Sequence, residues 1–185
     1  MKYDPNKHHR RSIRLKGYDY TQPGAYFVTI CTWQRNNLFG EISNKKIQLS
    51  PFGEVIQVHW DNLPKHYSYL KLDEFVIMPN HVHGIIVLTD DFACKKRHGL
   101  PEIIRGFKTF SARRINKMRH LSRVSVWQRG YYEHIIRHEK SLNAIREYII
   151  KNPLSWDKDE LHPVYPIEWD GRIKDLGLEM NRISR

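Results

Sequence analysis

VIMPNHVHGIIVL, residues 76–88, is the stretch of this sequence that decides the fold. Side chains alternate between the two faces of a β-strand, so His81 and His83 point to the same face. Val82 lies between them and points to the opposite face, where it anchors the strand. Two neighbouring imidazoles can bind one divalent metal ion. The stretch predicts a strand that carries part of a metal site; the alternative, half-exposed strand histidines without a metal, stays open at this point.

Strand and helix patterns alternate on either side of this stretch. Strands are predicted at 25–33, 69–78, 81–88 and 131–137, and helices from Ser50-Pro51 to before Pro64, at 101–118, and from Ser141 to Asn152-Pro153. The order β-α-β-β-α-β followed by an extra helix predicts an α+β fold of the ferredoxin-like type. In this topology the histidine strand is central, helices cover one face of the antiparallel sheet, and the histidines are expected on the open face.

The helix predicted at 101–118 is amphipathic. Its apolar arc contains Ile103, Ile104, Phe107, Phe110, Ile115 and Met118, with Arg114 inside the arc and Arg105, Lys108 and Arg113 off it. An arc of this width predicts one face packed against the sheet and a basic face turned to solvent.

Size and charge indicate a folded domain with a polyanionic partner. The chain has 185 residues, 40% of them hydrophobic, and a net charge of +11. Between Lys95 and Arg123 there are ten Lys or Arg and one acidic residue. Such an uneven basic block favours nucleic acid over a membrane surface, and no apolar run approaches the roughly 20 residues that span a bilayer. Two cysteines without metal or disulfide spacing, and no secretory signal, predict a cytoplasmic protein.

The last predicted helix carries a phenol and an amide together. Tyr148 and Asn152 are four residues apart and therefore lie within about 40° of each other on the helix. Both can project from a helix that docks beside the histidines. The alternatives are that Tyr148 only packs against its neighbours and that Asn152 only ends the helix before Pro153.

Several motifs spread over the chain form a familiar set. They are RRSIRL at 10–15, YDY at 18–20, GAYFVT at 24–29, MPNHVH at 78–83, IRGFK at 104–108, WQRGYYEHIIR at 127–137, REYIIKNP at 146–153 and YPIEW at 165–169. With these motifs the sequence resembles the REP-associated tyrosine transposases, a bacterial branch of the IS200-like HUH single-tyrosine transposases. The resemblance implies that His81 and His83 bind Mg²⁺ or Mn²⁺, with Asn152 as a third ligand. It also implies that Tyr148 is the nucleophile that becomes joined to a DNA 5′-phosphate.

The resemblance implies single-stranded DNA with REP or other palindromic hairpins as the partner of a monomer or homodimer associated with the nucleoid. The residues expected to contact DNA are Arg10, Arg11, Arg14, Lys16, Tyr18, Arg105, Lys108, Arg113, Trp127 and Arg129, although each aromatic residue could instead belong to the core. We expect a basic arm at 1–24, an HUH catalytic domain at 25–156 and a C-terminal tail at 157–185.

Two other functions and two other nucleophiles stay open. The chain could be a domesticated, non-catalytic hairpin-binding protein, or a hydrolase that uses water without a covalent intermediate. Tyr131 and Tyr132 are rival nucleophiles, but as strand neighbours they face opposite ways, so at most one can face the metal. The sequence does not define roles for Glu133 and His134.

Overall fold

The computed structural model describes residues 14–90 and 97–163. The strands and helices are β1 (Gly24–Cys31), β2 (Gly40–Ser43), β3 (Lys46–Leu49), α1 (Pro51–Asp61), α2 (Leu63–His66), β4 (Leu70–Met78), β5 (His81–Leu88), α3 (Leu100–Met118), β6 (Tyr132–Ile136) and α4 (Glu139–Lys151). A 3₁₀ turn, Trp33–Arg35, follows β1, and a 3₁₀ helix, Asn152–Lys158, continues from α4. Within the described residues, no helix has the length and apolar character needed to cross a membrane.

Four strands form one antiparallel sheet in the order β4-β5-β1-β6. The histidine strand β5 therefore has a partner on each side. Its pairing with β1 places His83 opposite Thr29 and His81 opposite Cys31. The predicted ferredoxin-like α+β fold, with a central histidine strand and an additional C-terminal helix, is confirmed.

The strands β2 and β3 form a second, two-stranded sheet, which was not predicted. They follow β1 and precede α1 along the chain. Asn44 and Lys45 form its turn with φ angles of 51° and 60°. Two-residue hairpin turns need positive φ values, and Asn-Gly or Asp-Gly are their usual sequences. Because Lys45 occupies the position where glycine is common, the turn carries only a weak sequence signal.

The helix starts predicted at Ser50 and Ser141 imply that each serine is the N-cap of its helix. Ser50 caps α1 as predicted, since its side chain accepts a hydrogen bond from the Gly53 N–H, and Pro51 is the first helical residue. The prediction that Ser141 caps the last helix is wrong. His138 has the extended conformation of an N-cap, so α4 begins at Glu139 and contains Ser141 in its first turn.

One face of the sheet is covered by α1 and α3, and the larger hydrophobic core lies between them and the sheet. Val82 packs into this core, as its position between the histidines predicts. Trp60 of α1 stacks on Phe75 of β4 with 4.3 Å between ring centroids. A Cβ atom on Gly84 would lie 2.4 Å from the Trp60 ring, so only glycine lets the indole lie this close to the histidine strand.

The apolar arc of α3 is narrower than the sequence predicts. The buried residues of this helix are Leu100, Ile103, Ile104, Phe107, Ser111 and Ile115. Phe110 is 58% exposed and Met118 is 37% exposed, so assigning them to the core was wrong. Consecutive helical residues lie 100° apart, and the buried position next to Phe110 is taken by Ser111, whose hydroxyl donates to the Phe107 carbonyl.

The second face of the sheet is covered as well. Helix α4 packs there through Ile145 and Ile149, which form a small cluster with Phe27, Ile85 and Ile136. Both histidines have no exposed surface. The expectation that they are displayed on an open face is therefore wrong, because α4 and the 3₁₀ helix after it lie over this side of the sheet.

Candidate metal and tyrosine site

The two histidines of β5 lie side by side, as the strand alternation requires. The Nε2 atoms of His81 and His83 are 3.0 Å apart, and the ring centroids are separated by 4.5 Å. Neither ring is exposed to solvent. Two imidazole nitrogens at this separation can converge on a single divalent ion.

The other ring nitrogen of each histidine is held by a neighbouring side chain. Asn80 Oδ1 lies 2.8 Å from His81 Nδ1, and Thr29 Oγ1 lies 2.8 Å from His83 Nδ1. An amide oxygen only accepts hydrogen bonds, so His81 Nδ1 carries the proton and its Nε2 presents a lone pair. Histidine ligands of metals are commonly oriented in this way by a partner on the second nitrogen.

Burial keeps both imidazoles neutral at physiological pH. It lowers the pKa of His81 to about 3, with a smaller contribution from the charge of Arg35. Burial, followed by the proximity of His81, lowers the pKa of His83 well below its usual value. Metal binding requires the neutral form of histidine, so no proton has to leave these rings before an ion binds.

The structure brings Tyr148 to the histidine pair. Its hydroxyl lies 3.2 Å from His83 Nε2, and its ring packs edge-on against His83 and Phe27. The side chain is half-buried. A phenol oxygen is thus in hydrogen-bond contact with one of the two candidate metal ligands, on the face where α4 covers the sheet.

An ion pair attaches the tyrosine helix to the sheet. Arg146 of α4 donates from Nε to Asp73 Oδ1 at 2.8 Å and from Nη2 to Asp73 Oδ2 at 2.6 Å. Asp73 lies at the irregularity in β4 between Leu72 and Phe75. The hydrogen bond from Arg146 lowers the pKa of the Asp73 carboxyl. This pair could not be predicted, because no local sequence pattern connects residues 73 and 146.

Two oxygen donors lie near the end of α4. Asn152 is 4% exposed, and its Oδ1 is buried without a hydrogen-bond partner among the described residues. An amide oxygen in this condition fits the expected ligand, although its role stays a prediction. Asp159 is a residue that sequence reasoning missed: its Oδ2 lies 3.9 Å from His81 Nε2. Asp159, His81 and His83 offer ligand atoms within 4.8 Å of one another, in a set suited to a divalent transition metal.

The residues expected to contact DNA differ in their environments. Arg14, Lys16, Arg105, Arg113 and Arg129 are exposed. Arg10 and Arg11 lie outside the described residues.

Trp127 and Lys108, two of the residues expected to contact DNA, instead make hydrogen bonds within the protein. Trp127 is 7% exposed, and its Nε1 donates to Ser111 Oγ, so it belongs to the core and the prediction that it stacks on bases is wrong. Lys108 Nζ donates to the Gln128 and Gly130 carbonyls at 2.6 and 2.7 Å. Its ammonium group therefore supports the segment before β6.

The half-buried Tyr18 ring packs edge-on against Tyr20 and Tyr26, and its hydroxyl lies 3.3 Å from the Tyr26 hydroxyl. It belongs to a cluster of tyrosines.

The rival tyrosines face opposite sides of the sheet, as predicted. Tyr131 packs against the core beneath α1 and α3, where burial raises the pKa of its hydroxyl. Tyr132 packs on the α4 side, in edge-on contact with Phe27. The side chain of Glu133 is 4% exposed, with Arg14 Nε at 4.0 Å. Of the two tyrosines, only Tyr132 shares the side of the sheet that carries the histidines.

An antiparallel sheet with paired histidines on a central strand and a tyrosine on the helix above them is consistent with the HUH transposase class that the sequence resembles. Residues 25–152 match the family model described as Transposase IS200 like. The chain belongs to the IS200-like transposase family.

Two relatives are similar in sequence over most of their length, and one solved structure is similar in fold. An uncharacterized protein of Haemophilus influenzae is 42% identical, over 87% of this chain and 97% of its own length. A REP-associated tyrosine transposase of Escherichia coli is 23% identical, over 89% of this chain and 96% of its own. The solved structure of a REP-associated tyrosine transposase bound to a REP hairpin shares the fold with a TM-score of 0.54 at 20% identity, over 88% of this chain and 94% of that one.

Proposed function

We propose that this protein is a metal-dependent endonuclease and strand transferase that cuts single-stranded DNA beside REP-type hairpins through a 5′-phosphotyrosine intermediate. The observation that carries the proposal is the contact between the Tyr148 hydroxyl and His83 Nε2 at 3.2 Å. His81 Nε2 lies 3.0 Å from the same nitrogen of His83. The solved structure with a REP hairpin and the E. coli relative support the choice of substrate. We assign the catalytic domain to residues 25–156, with Asn152 as a further ligand, and the described part of the segment after it, 157–163, packs against this domain.

Each residue has a distinct part in the reaction. A divalent ion bound by His81 and His83 would neutralise negative charge that builds up on the phosphate oxygens in the transition state. Tyr148 Oη forms a bond to the phosphorus, the bond to the 3′-oxygen breaks, and the phenolic proton is balanced by protonation of the released 3′-hydroxyl. The phosphotyrosine retains the energy of the broken phosphodiester, so a 3′-hydroxyl can attack it and rejoin DNA without ATP.

Trapping the covalent adduct tests this proposal. The probe is a pool of single-stranded oligonucleotides that share one palindromic hairpin, carry randomised unpaired flanks and are labelled at the 3′ end. With Mn²⁺ present, the wild-type protein should give a labelled band that survives SDS, since the 5′-phosphate stays on the protein. Binding without any adduct or cleavage would support a domesticated hairpin-binding protein, and cleavage without an adduct would support a hydrolase that uses water.

Tyr148→Phe should abolish the adduct and cleavage while hairpin affinity stays within about twofold, because only the phenolic oxygen is lost and the ring still packs on Phe27. Tyr132→Phe is the matched control, since it removes a hydroxyl from the same side of the sheet. An adduct that persists in Tyr148→Phe and disappears in Tyr132→Phe would overturn the choice of nucleophile.

A further inference from the structure

Asp159 presents a buried carboxylate to the histidine pair. It follows the 3₁₀ helix, and its side chain is 6% exposed. Within the described part of the chain, His81 is the only basic side chain within 4.0 Å of this carboxylate. An imidazole is a cation only when protonated, and a buried carboxylate requires a positive partner or strong hydrogen bonds.

A chain of hydrogen bonds connects Asp159 to His81. Asp159 Oδ1 accepts from the Leu161 N–H at 2.7 Å, so this oxygen is occupied and Oδ2 is turned towards His81. The Leu161 carbonyl accepts from Asn80 Nδ2 at 2.7 Å. Asn80 Oδ1 in turn binds His81 Nδ1 at 2.8 Å. One amide side chain therefore orients Nε2 of His81 and, through Leu161, Oδ2 of Asp159.

A second contact holds the same segment against the sheet. Arg35 Nη1 donates to the Glu160 carbonyl at 3.1 Å, and Arg35 is itself 5% exposed. The Arg35 carbonyl accepts from Asn80 Nδ2 at 3.2 Å. The backbone directly after Asp159 is thus held by two side chains, Arg35 after β1 and Asn80 before β5.

We propose that Asp159 Oδ2 binds the same divalent ion as His81 and His83, an inference that rests on the proposed function. The ion would receive one carboxylate and two imidazole donors besides the amide oxygen proposed for Asn152, and the carboxylate supplies the negative charge that the histidines lack. Bound metal then links the segment after α4 to the central strand of the sheet. Asn80 is the positioning residue that aligns the two kinds of ligand.

Mn²⁺ binding by the full chain, without DNA, tests the inference. Free Mn²⁺ is titrated by its six-line electron paramagnetic resonance signal, and thermal melting is recorded with EDTA and with Mn²⁺. Asp159→Asn keeps the shape and the hydrogen bond to Leu161 but removes the charge. Asp157→Asn is the matched control, because Asp157 is exposed, lies two residues before Asp159 and loses the same charge.

We expect Asp159→Asn to weaken Mn²⁺ binding by about tenfold or more, since loss of an outer-shell partner alone costs about 10- to 100-fold. Its melting temperature in EDTA should match the parent protein, and the rise on adding Mn²⁺ should shrink. Asp157→Asn should bind within about twofold of the parent. Asp159→Glu restores the charge and should recover part of the affinity, which also covers the case in which the Asn variant fails to fold.

The outcomes separate this inference from the function on which it rests. Equal Mn²⁺ affinity in the parent and in Asp159→Asn, together with loss of binding in His81→Ala, would overturn the role of Asp159 and leave the histidine site intact. A parent that binds no Mn²⁺, or a His81→Ala variant that binds it normally, would overturn the metal site as a whole.

Discussion

At the residue scale, the site depends on which nitrogen of each imidazole is held by the protein. The fold places Thr29 directly opposite His83 across the β1–β5 pair, so the register of two strands supplies the hydroxyl that holds Nδ1. Asn80 precedes the histidine strand and holds His81 in the same way. The two Nε2 atoms consequently lie 3.0 Å apart, and the Tyr148 hydroxyl lies 3.2 Å from that of His83.

Thr29→Val tests the importance of this orientation, because it replaces the hydroxyl with a methyl group of similar volume. We expect the metal concentration for half-maximal cleavage to rise by about tenfold or more. Leaving a buried ring nitrogen without its partner should lower the free energy of unfolding by about 1–3 kcal/mol. Metal titration of the cleavage rate and urea unfolding check both values. An unchanged metal requirement with lower stability would mean that Thr29 serves only the fold.

Asn152→Ala tests the predicted amide ligand. Its Oδ1 is buried without a hydrogen-bond partner among the described residues, so truncation should cost little hydrogen bonding within the protein. We expect weaker metal affinity and slower cleavage with hairpin binding intact, whereas Asn152→Asp should retain a ligand and part of the activity. A metal titration of cleavage checks this. If the half-maximal concentration in Asn152→Ala is unchanged and only the melting temperature falls, Asn152 is a helix end and nothing more.

Strand alternation was enough to predict that His81 and His83 lie side by side, and helical periodicity was enough to put Tyr148 on the last helix, where it reaches His83. Asn152 begins the 3₁₀ helix directly after α4. Asp159 could not be predicted in this way. It lies in a polar segment that reads as a tail, and it reaches His81 only because contacts with Asn80 and Arg35 hold that segment on the sheet. Such long-range contacts leave no local pattern in the sequence.

At the element scale, α4 rests on the sheet through a small apolar contact. Only Ile145 and Ile149 of this helix are buried, against a cluster of three sheet residues. The bidentate pair between Arg146 and Asp73 adds a directional contact near the middle of the helix. Two planar groups joined by parallel hydrogen bonds fix orientation as well as distance, so this pair sets the angle at which the helix presents Tyr148.

A double-mutant cycle of Asp73→Ala and Arg146→Ala should show a coupling of about 1 kcal/mol at pH 7, the upper range for partly exposed pairs. Arg146 lowers the pKa of Asp73 in the folded state, so the stabilisation is present above the unfolded pKa of about 3.9 and is lost as the pH falls through the folded pKa. Urea unfolding at pH 7 and at successively lower pH measures it. A coupling that does not decline in acid would contradict an ionic pair.

Sequence patterns predicted most strands and helices, but not all of them. All four strands of the main sheet and the helices carrying Pro51, Pro101 and Tyr148 follow from periodicity, whereas a capping signal was correct at Ser50 and wrong at Ser141. The β2–β3 hairpin does not follow from such patterns, because its Asn44-Lys45 turn lacks glycine. Phe110 was assigned to the core from its position in a broad apolar arc, but the sheet buries only a narrow row that ends at Ile115.

At the scale of the whole molecule, the basic surface and the site lie on different layers. Helix α3 covers the face of the sheet opposite α4, so the exposed Arg105 and Arg113 are separated from Tyr148 by the sheet itself. A hairpin that contacts both layers would have to pass around an edge of the sheet. The net charge of +11 provides long-range attraction for DNA on either route.

Salt dependence of hairpin binding can decide whether α3 contacts DNA. Each phosphate contact contributes about 0.7 to 0.9 to the slope of log K against log salt. The double variant Arg105→Gln/Arg113→Gln should therefore lower the magnitude of this slope by about 1.4 to 1.8. Fluorescence anisotropy with the hairpin pool at several salt concentrations measures it, with Lys46→Gln as the control, because Lys46 is exposed on the separate β2–β3 hairpin. An unchanged slope in the double variant would place the DNA on the α4 side of the sheet alone.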